Sequence, residues 1–194
     1  MNRAADIVLA GLGLVVASPV LAAAALAVKL EDGGPVLFRQ GRVGKDGADF
    51  ELFKLRSMVV DAERQGAGYA VDRGDARITR VGRILRRTSV DELPQLWNVV
   101  RGDMSVVGPR PTLRYQVDRY TDRQRRRLEV RPGLTGWAQI HGRATLPWDA
   151  RIELDVWYVE HRSPLLDLRI LLRTPLALFG GTYKGSTGGW SAGE

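Results

Sequence analysis

Asp91 and Glu92 stand side by side in the stretch Ser89-Val90-Asp91-Glu92-Leu93-Pro94. At the start of a helix, two adjacent carboxylates meet a partial positive charge that favours their ionised forms. An ionised carboxylate is a competent nucleophile or a magnesium ligand. The same residues also fit plain helix capping, because Ser-x-x-Glu is the capping-box pattern. Pro94 bears on that choice. With Ser89 as the cap, Pro94 would fall past the first turn, where a proline is poorly tolerated. With Asp91 as the cap it falls inside the first turn and is accepted. Pro109-Arg110-Pro111 is the second candidate. Each proline fixes its own φ and drives the residue before it into extended conformations, so Arg110 is held stiffly. That suits an oriented phosphate contact, or simply a rigid surface turn. Asp155 is the third, set among Leu154, Val156, Trp157 and Tyr158. A buried aspartate needs a partner, whether structural or functional.

The elements that must position these groups can be read from periodicity. Val36 to Val43 and Phe50 to Arg56 read as two strands around the turn Gly44-Lys45-Asp46-Gly47, a hairpin. Alternation places Lys54 and Arg56 on one face of the second strand and Leu55 on the other. Residues 61–77 are polar and glycine-rich and read as a loop. Val81, Ile84 and Leu85 predict a short basic helix ending at Arg86-Arg87. Leu93, Leu96, Trp97 and Val100 follow helical spacing, and Gly102 is placed to stop that helix. Further helices are expected over 113–128 and 148–161. Leu165 to Phe179 is apolar but carries Arg169 and Arg173, the pattern of a helix lying in a membrane interface. Residues 180–194 read as a flexible tail.

The N-terminal segment is different in kind. Ile7 to Val28 is a run of 22 residues without a charge, flanked by Arg3 and Lys29. That is long enough to cross a bilayer, which takes about 20 residues. Its alanine-rich end also fits a cleaved signal peptide. Pro19 interrupts the run, and the carbonyl it frees needs a partner in hydrocarbon, for which the Ser18 hydroxyl is a candidate. Each half is then about 11 residues, or ~17 Å of helix, too short to span ~30 Å. The segment could enter one leaflet and return at Ser18-Pro19, or span as a kinked helix.

Composition excludes some chemistries. The chain of 194 residues has no cysteine, so disulfides and thiolate metal sites are ruled out, and its two histidines are too few for an obvious zinc site. Neither a phosphate-binding Gly-x-x-x-x-Gly-Lys loop nor a dinucleotide-binding glycine motif occurs. The net charge is +7, and all but four of the 29 cations are arginines. Phosphates, an anionic membrane and nucleic acid are all partners that arginine suits. A nucleic-acid binder would have no use for the acidic pair or the rigid Pro-Arg-Pro, and none is expected.

Asp91-Glu92-Leu93-Pro94-Gln95-Leu96-Trp97-Asn98 continues through Arg101-Gly102-Asp103-Met104-Ser105 to Val107-Gly108-Pro109-Arg110-Pro111. This long run resembles the signature of the bacterial sugar transferases, small monotopic phosphoglycosyl transferases. Gly34-Pro35-Val36-Leu37-Phe38-Arg39-Gln40, Lys54-Leu55-Arg56-Ser57-Met58 and Arg131-Pro132-Gly133-Leu134-Thr135-Gly136-Trp137 agree with it. The resemblance covers residues 5–179 and fits the short form of the family, without its extra N-terminal membrane helices. His141 departs from it, standing where many relatives carry asparagine.

The resemblance implies a mostly helical α+β fold with three parts. Residues 1–30 would be a re-entrant membrane hairpin broken at Ser18 and Pro19. Residues 31–179 would be a cytoplasmic catalytic domain with interfacial helices, and 180–194 a tail. It further implies transfer of a sugar-1-phosphate from a UDP-sugar to undecaprenyl phosphate, with release of UMP, at the cytoplasmic face of the bacterial inner membrane. Asp91 would be the nucleophile and would bind Mg²⁺, with Glu92 completing the pair. Lys54, Arg86 and Arg110 would hold phosphates, Pro111 would fix the direction of Arg110, and Asp155 would have a functional role. The cations answer a physical need, because a carboxylate nearing a phosphate is repelled by about 4 kcal/mol per charge pair at ~4 Å and an effective dielectric near ~20. An inactive scaffold would not need Asp91, Glu92 and Arg110 all intact. A lipid bilayer is a further partner, and a homodimer is open to such an interfacial protein.

Overall fold

The long apolar run of the N-terminus folds as one helix in the computed structural model, which describes residues 2–65, 74–142 and 146–179. This helix, α1, spans Arg3–Asp32. Asn2 opens it by accepting the Ala4 N–H, and Gly33 closes it at φ 72°, returning its own N–H to Lys29. The helical backbone is continuous through Ser18-Pro19. Pro19 cannot donate to Val15, and the Ser18 hydroxyl donates to that same carbonyl at 2.8 Å. The single missing bond is thereby replaced, within a helix of 30 residues. One stripe of it packs on the rest of the protein through Asp6, Ala10, Ala24 and Val28. The opposite face leaves Leu12, Val15, Val16 and Leu30 in the open. This helix is long and apolar enough to cross a membrane.

The predicted hairpin is formed by β1 (Leu37–Val43) and β2 (Asp49–Leu55), paired antiparallel with Phe38 opposite Lys54. Helix α2 (Arg80–Thr88) is capped by the Thr79 hydroxyl on the Gly82 N–H. Helix α3 (Gln95–Arg101) stops at Gly102, whose φ of 102° suits a residue without a Cβ. Of the loop predicted at 61–77, the described part holds a 3-10 turn at Ala62–Arg64, and a bridge between Met58 and Ile78 flanks the loop on both sides. The remainder, residues 66–73, lies outside the described residues, as does the tail reading of 180–194.

Two features differ from expectation. Residues 113–128 are not one helix but two single turns, α4 (Arg114–Val117) and α5 (Asp122–Arg125), followed by a 3-10 turn. Thr121 is the cause, since its side chain accepts the Gln124 N–H and starts a new helix in a capping box. A second small sheet was also not foreseen. Strand β3 (Ser105–Val107) runs parallel to β4 (Gly133–Thr135). These strands cross so closely that a Cβ on Gly133 would lie 2.0 Å from the Gly108 nitrogen. Three-residue strands are too short to show alternation, so only the glycines mark them.

Helix α6 (Trp137–Ile140) follows β4, and α7 (Trp148–His161) and α8 (Pro164–Phe179) complete the chain. The main core draws Ala10 from α1, Leu96 and Val99 from α3, Val106 and Val107 from β3, Tyr158 from α7 and Ile170 from α8. A second cluster joins Val43, Val117, Tyr120, Ile152 and Val156. Helix α8 buries Ile170 completely yet leaves Leu165, Leu168, Leu172 and Leu176 exposed along one stripe.

Candidate active site

Asp91 and Glu92 lie in a 3-10 turn, Val90–Glu92, wedged between α2 and α3. Neither acts as a cap. Ser89 adopts the left-handed conformation (φ 58°) as the C-cap of α2, its side chain caps nothing, and Pro94 occupies the N-cap position of α3. The turn frees both carboxylates for other partners. Their environments then diverge. Glu92 accepts from Lys54 Nζ at 3.0 Å and from Arg110 through both guanidinium nitrogens, at 2.5 and 3.5 Å. Although burial works against ionisation, these two cations hold its carboxyl well below the usual range. Asp91 is 7% exposed, and among the described residues nothing donates a hydrogen bond to it. Burial, and next the charge of Glu92, push its carboxyl above the ordinary value, against the pull of Lys54, Arg86 and Arg110. One carboxylate is neutralised and fixed. Its neighbour accepts no hydrogen bond among the described residues.

Each cation arrives on its own element. Lys54 points from β2, where burial lowers its affinity for the proton while Glu92 restores part of it. Arg56, on the same face by alternation, is drawn off to Asp32 and the Pro35 carbonyl. Arg86 reaches from α2 and is oriented by a 2.8 Å bond to the Ser57 hydroxyl. Arg110 leaves β3 between its two prolines, and its segment is pinned on both sides. The Pro109 carbonyl accepts from Gly133 at 2.8 Å, and the Pro111 carbonyl from Arg42 at 3.2 Å. The next residue, Thr112, bridges to Val43 at the end of β1. Ser18 and Pro19 belong to the middle of α1, outside this cluster.

Asp155 proves to be paired. It is 2% exposed and accepts from Arg127, a buried member of the arginine-rich stretch Arg123, Arg125, Arg126, Arg127 and Arg131. Arg127 also donates to the Tyr120 hydroxyl and, at 2.8 Å, to the carbonyl of Arg110. Asp155 is thereby linked through Arg127 to the backbone of Arg110. A basic run gives no sign of which member turns inward, because that depends on how the 3-10 turn Arg126–Leu128 packs against α7.

Burial raises the Asp155 carboxyl to about 6 even with Arg127 opposing. A folded-state value above the ordinary 3.8 means the stability it brings is complete below that value and is lost as pH rises through about 6. Asp155→Asn should therefore cost most stability at acid pH. The gap to the parent protein should narrow by roughly 3 kcal/mol between pH 4 and pH 8. Thermal unfolding in one detergent across that range checks this, and a gap that widens with pH would contradict the assignment.

Among the described residues no group of three histidine, aspartate or glutamate side chains could hold a metal. A magnesium ion needs less, because it commonly takes one or two carboxylates and completes its shell with substrate phosphate and water. Asp91 alone fits that role, since Glu92 is committed to two cations.

Comparison with known proteins gives the family. The bacterial sugar transferase family pattern matches residues 1–181. The chain is 50% identical over 147 residues to a sugar transferase of Bacillus subtilis, covering 76% of this chain and 71% of that protein. It is 47% identical over 181 residues to a UDP-glucose:undecaprenyl-phosphate glucose-1-phosphate transferase of Caulobacter vibrioides, covering 89% and 67%. A UDP-N-acetylgalactosamine-undecaprenyl-phosphate N-acetylgalactosaminephosphotransferase of Aeromonas hydrophila is 45% identical over 181 residues, covering 90% of this chain but only 42% of its own length. With the family pattern spanning nearly the whole chain, including the acidic pair and the Pro-Arg-Pro segment, the protein belongs to the bacterial sugar transferases.

Proposed function

We propose that the protein transfers a sugar-1-phosphate from a UDP-sugar to undecaprenyl phosphate by way of Asp91. The observation that carries this reading is the contrast between the two carboxylates: Glu92 is held by Lys54 and Arg110, and Asp91 is buried and accepts no hydrogen bond among the described residues. A carboxylate free of donors keeps its lone pairs for attack. In the first step an Asp91 oxygen attacks the β-phosphorus, the bond from that phosphorus to the bridging oxygen breaks, and UMP departs with the electron pair. In the second, a phosphate oxygen of undecaprenyl phosphate attacks the aspartyl phosphosugar. The Asp91–phosphorus bond breaks, which restores the carboxylate and yields the polyprenyl diphosphate sugar. Lys54, Arg86 and Arg110 hold the phosphates against the repulsion of Asp91, and Pro111 keeps Arg110 on its line. Magnesium bound at Asp91 would neutralise phosphate charge.

The membrane supplies the acceptor. A polyprenyl tail stays in the bilayer, so the site must lie at headgroup depth. The exposed face of α1 and the leucine stripe of α8 fit that placement. Both ends of α1 are tied to the same globular body, through Arg3 and Asp6 at one end and Glu31 and Asp32 at the other. This favours a segment that enters one leaflet from the cytoplasmic side over one whose ends lie on opposite faces. Pro19 is where such a segment would bend.

The test is UMP release by the protein reconstituted with undecaprenyl phosphate, Mg²⁺ and a panel of UDP-sugars. Release with one donor, dependent on the acceptor and abolished by EDTA, is the expected result. Release that needs no polyprenyl phosphate would sink the transfer reading.

A further inference from the structure

Asp6 is 2% exposed, on a helix whose next 22 residues carry no charge. Its Oδ1 accepts from the Ser105 hydroxyl at 2.8 Å and from the Val106 N–H at 2.9 Å, both on β3. The reason lies in the sheet. Strand β3 has β4 on one edge only, where the Ser105 and Gly108 N–H groups reach Pro132 and Thr135. The Val106 N–H faces away from β4 and is buried, so it needs an acceptor that no strand supplies. Asp6 stands in for the missing neighbour. One turn earlier, Arg3 donates to the carbonyls of Val99 and Val100 at 2.6 and 2.8 Å, closing the C-terminal end of α3. The first two turns of α1 thus grip both the helix that follows Asp91-Glu92 and the strand that leads to Arg110.

Only Val107, Gly108 and Pro109 separate Val106 from Arg110. Gly108 and Pro109 are each bound to the segment 133–135, so the connection is stiff. We propose that Asp6 is a positioning residue: by holding β3 from the α1 side, it sets where Arg110 stands and couples the docking of the membrane helix to the grip on phosphate. This rests on the reading of Arg110 as a phosphate-holding residue.

Three measurements on Asp6→Ala and Asp6→Asn test it, in the full-length protein in one detergent or bilayer. Asparagine keeps an acceptor oxygen and alanine does not. In Asp6→Ala, amide hydrogen exchange over residues 106–112 should rise about tenfold or more while α7 is unchanged. The kcat/KM for the UDP-sugar should fall by about 10-fold to 100-fold, and Asp6→Asn should stay within about threefold of the parent. The pair Asp6→Ala with Arg110→Ala should be no slower than Arg110→Ala alone, because both changes remove the same interaction. Unchanged exchange at 106–112, exchange raised equally in α7, or losses that multiply in the double variant would overturn the proposal. A parent protein that releases no UMP from any donor would instead sink the transferase reading, and the exchange data would still decide whether Asp6 holds the Arg110 segment.

Discussion

Asp91→Asn is expected to abolish UMP release, by at least about 10³-fold, while leaving a fold as stable as the parent's or more so. Asparagine has nearly the same shape, and among the described residues no hydrogen bond to Asp91 exists to be lost. Its amide cannot form the acyl phosphate. The stability side follows from the raised carboxyl. A folded-state value above the ordinary 3.8 gives stability that is complete below 3.8 and lost as pH rises through the folded value. Near neutral pH the ionised Asp91 is therefore a burden on the fold, and removing its charge relieves it. The variant should unfold at a higher temperature than the parent at pH 7 to 8, and the two should converge in acid. Turnover retained within tenfold would mean that Asp91 is not the nucleophile. A variant that is inactive but also markedly less stable at neutral pH would point to a structural aspartate instead.

Arg110→Ala should lower kcat/KM by about 10²-fold to 10³-fold, and Arg110→Lys should recover little of the loss. The guanidinium meets Glu92 through two nitrogens, a geometry that a single ammonium does not reproduce. Its loss would also act on Asp91. The charge of Arg110 is one of the three that pull the Asp91 carboxyl down, so without it that carboxyl rises further. The acid limb of the pH–rate profile should accordingly move to higher pH in Arg110→Ala, with less ionised Asp91 at any acid pH. If kcat and KM both stayed as in the parent, the phosphate role would be wrong. If the rate fell but the acid limb stayed still, Arg110 would act on substrate without tuning Asp91.

The acidic pair, the rigid arginine, Lys54 on its strand, the hairpin and the apolar first helix are all legible in the sequence. Each rests on local rules: proline geometry, alternation, helical spacing, glycine at a helix end. The candidate site was legible as a set of residue types but not as an arrangement. Nothing local could say that Lys54 and Arg110 would take Glu92 rather than Asp91, because those partners lie 38 and 18 residues away along the chain. The capping reading of Ser89 failed for a similar reason. The packing of α2 against the acidic turn puts Ser89 in the left-handed conformation and ends one helix there instead of opening another. Asp155 could be predicted to need a partner, yet the partner came from a basic run in which every arginine looks alike in sequence. Asp6 carries no signal of its own in the sequence, because a carboxylate in the first turn of a helix is accounted for by the partial positive charge there. Its contacts lie 99 and 100 residues away, on a strand of three residues that carries no periodic signal. Sequence alone thus determined which groups are present and how stiffly the chain presents them. Which carboxylate is neutralised, which arginine turns inward and what anchors the phosphate-holding segment were decided by tertiary contacts, since charge pairing and burial depend on neighbours that only the folded chain brings together.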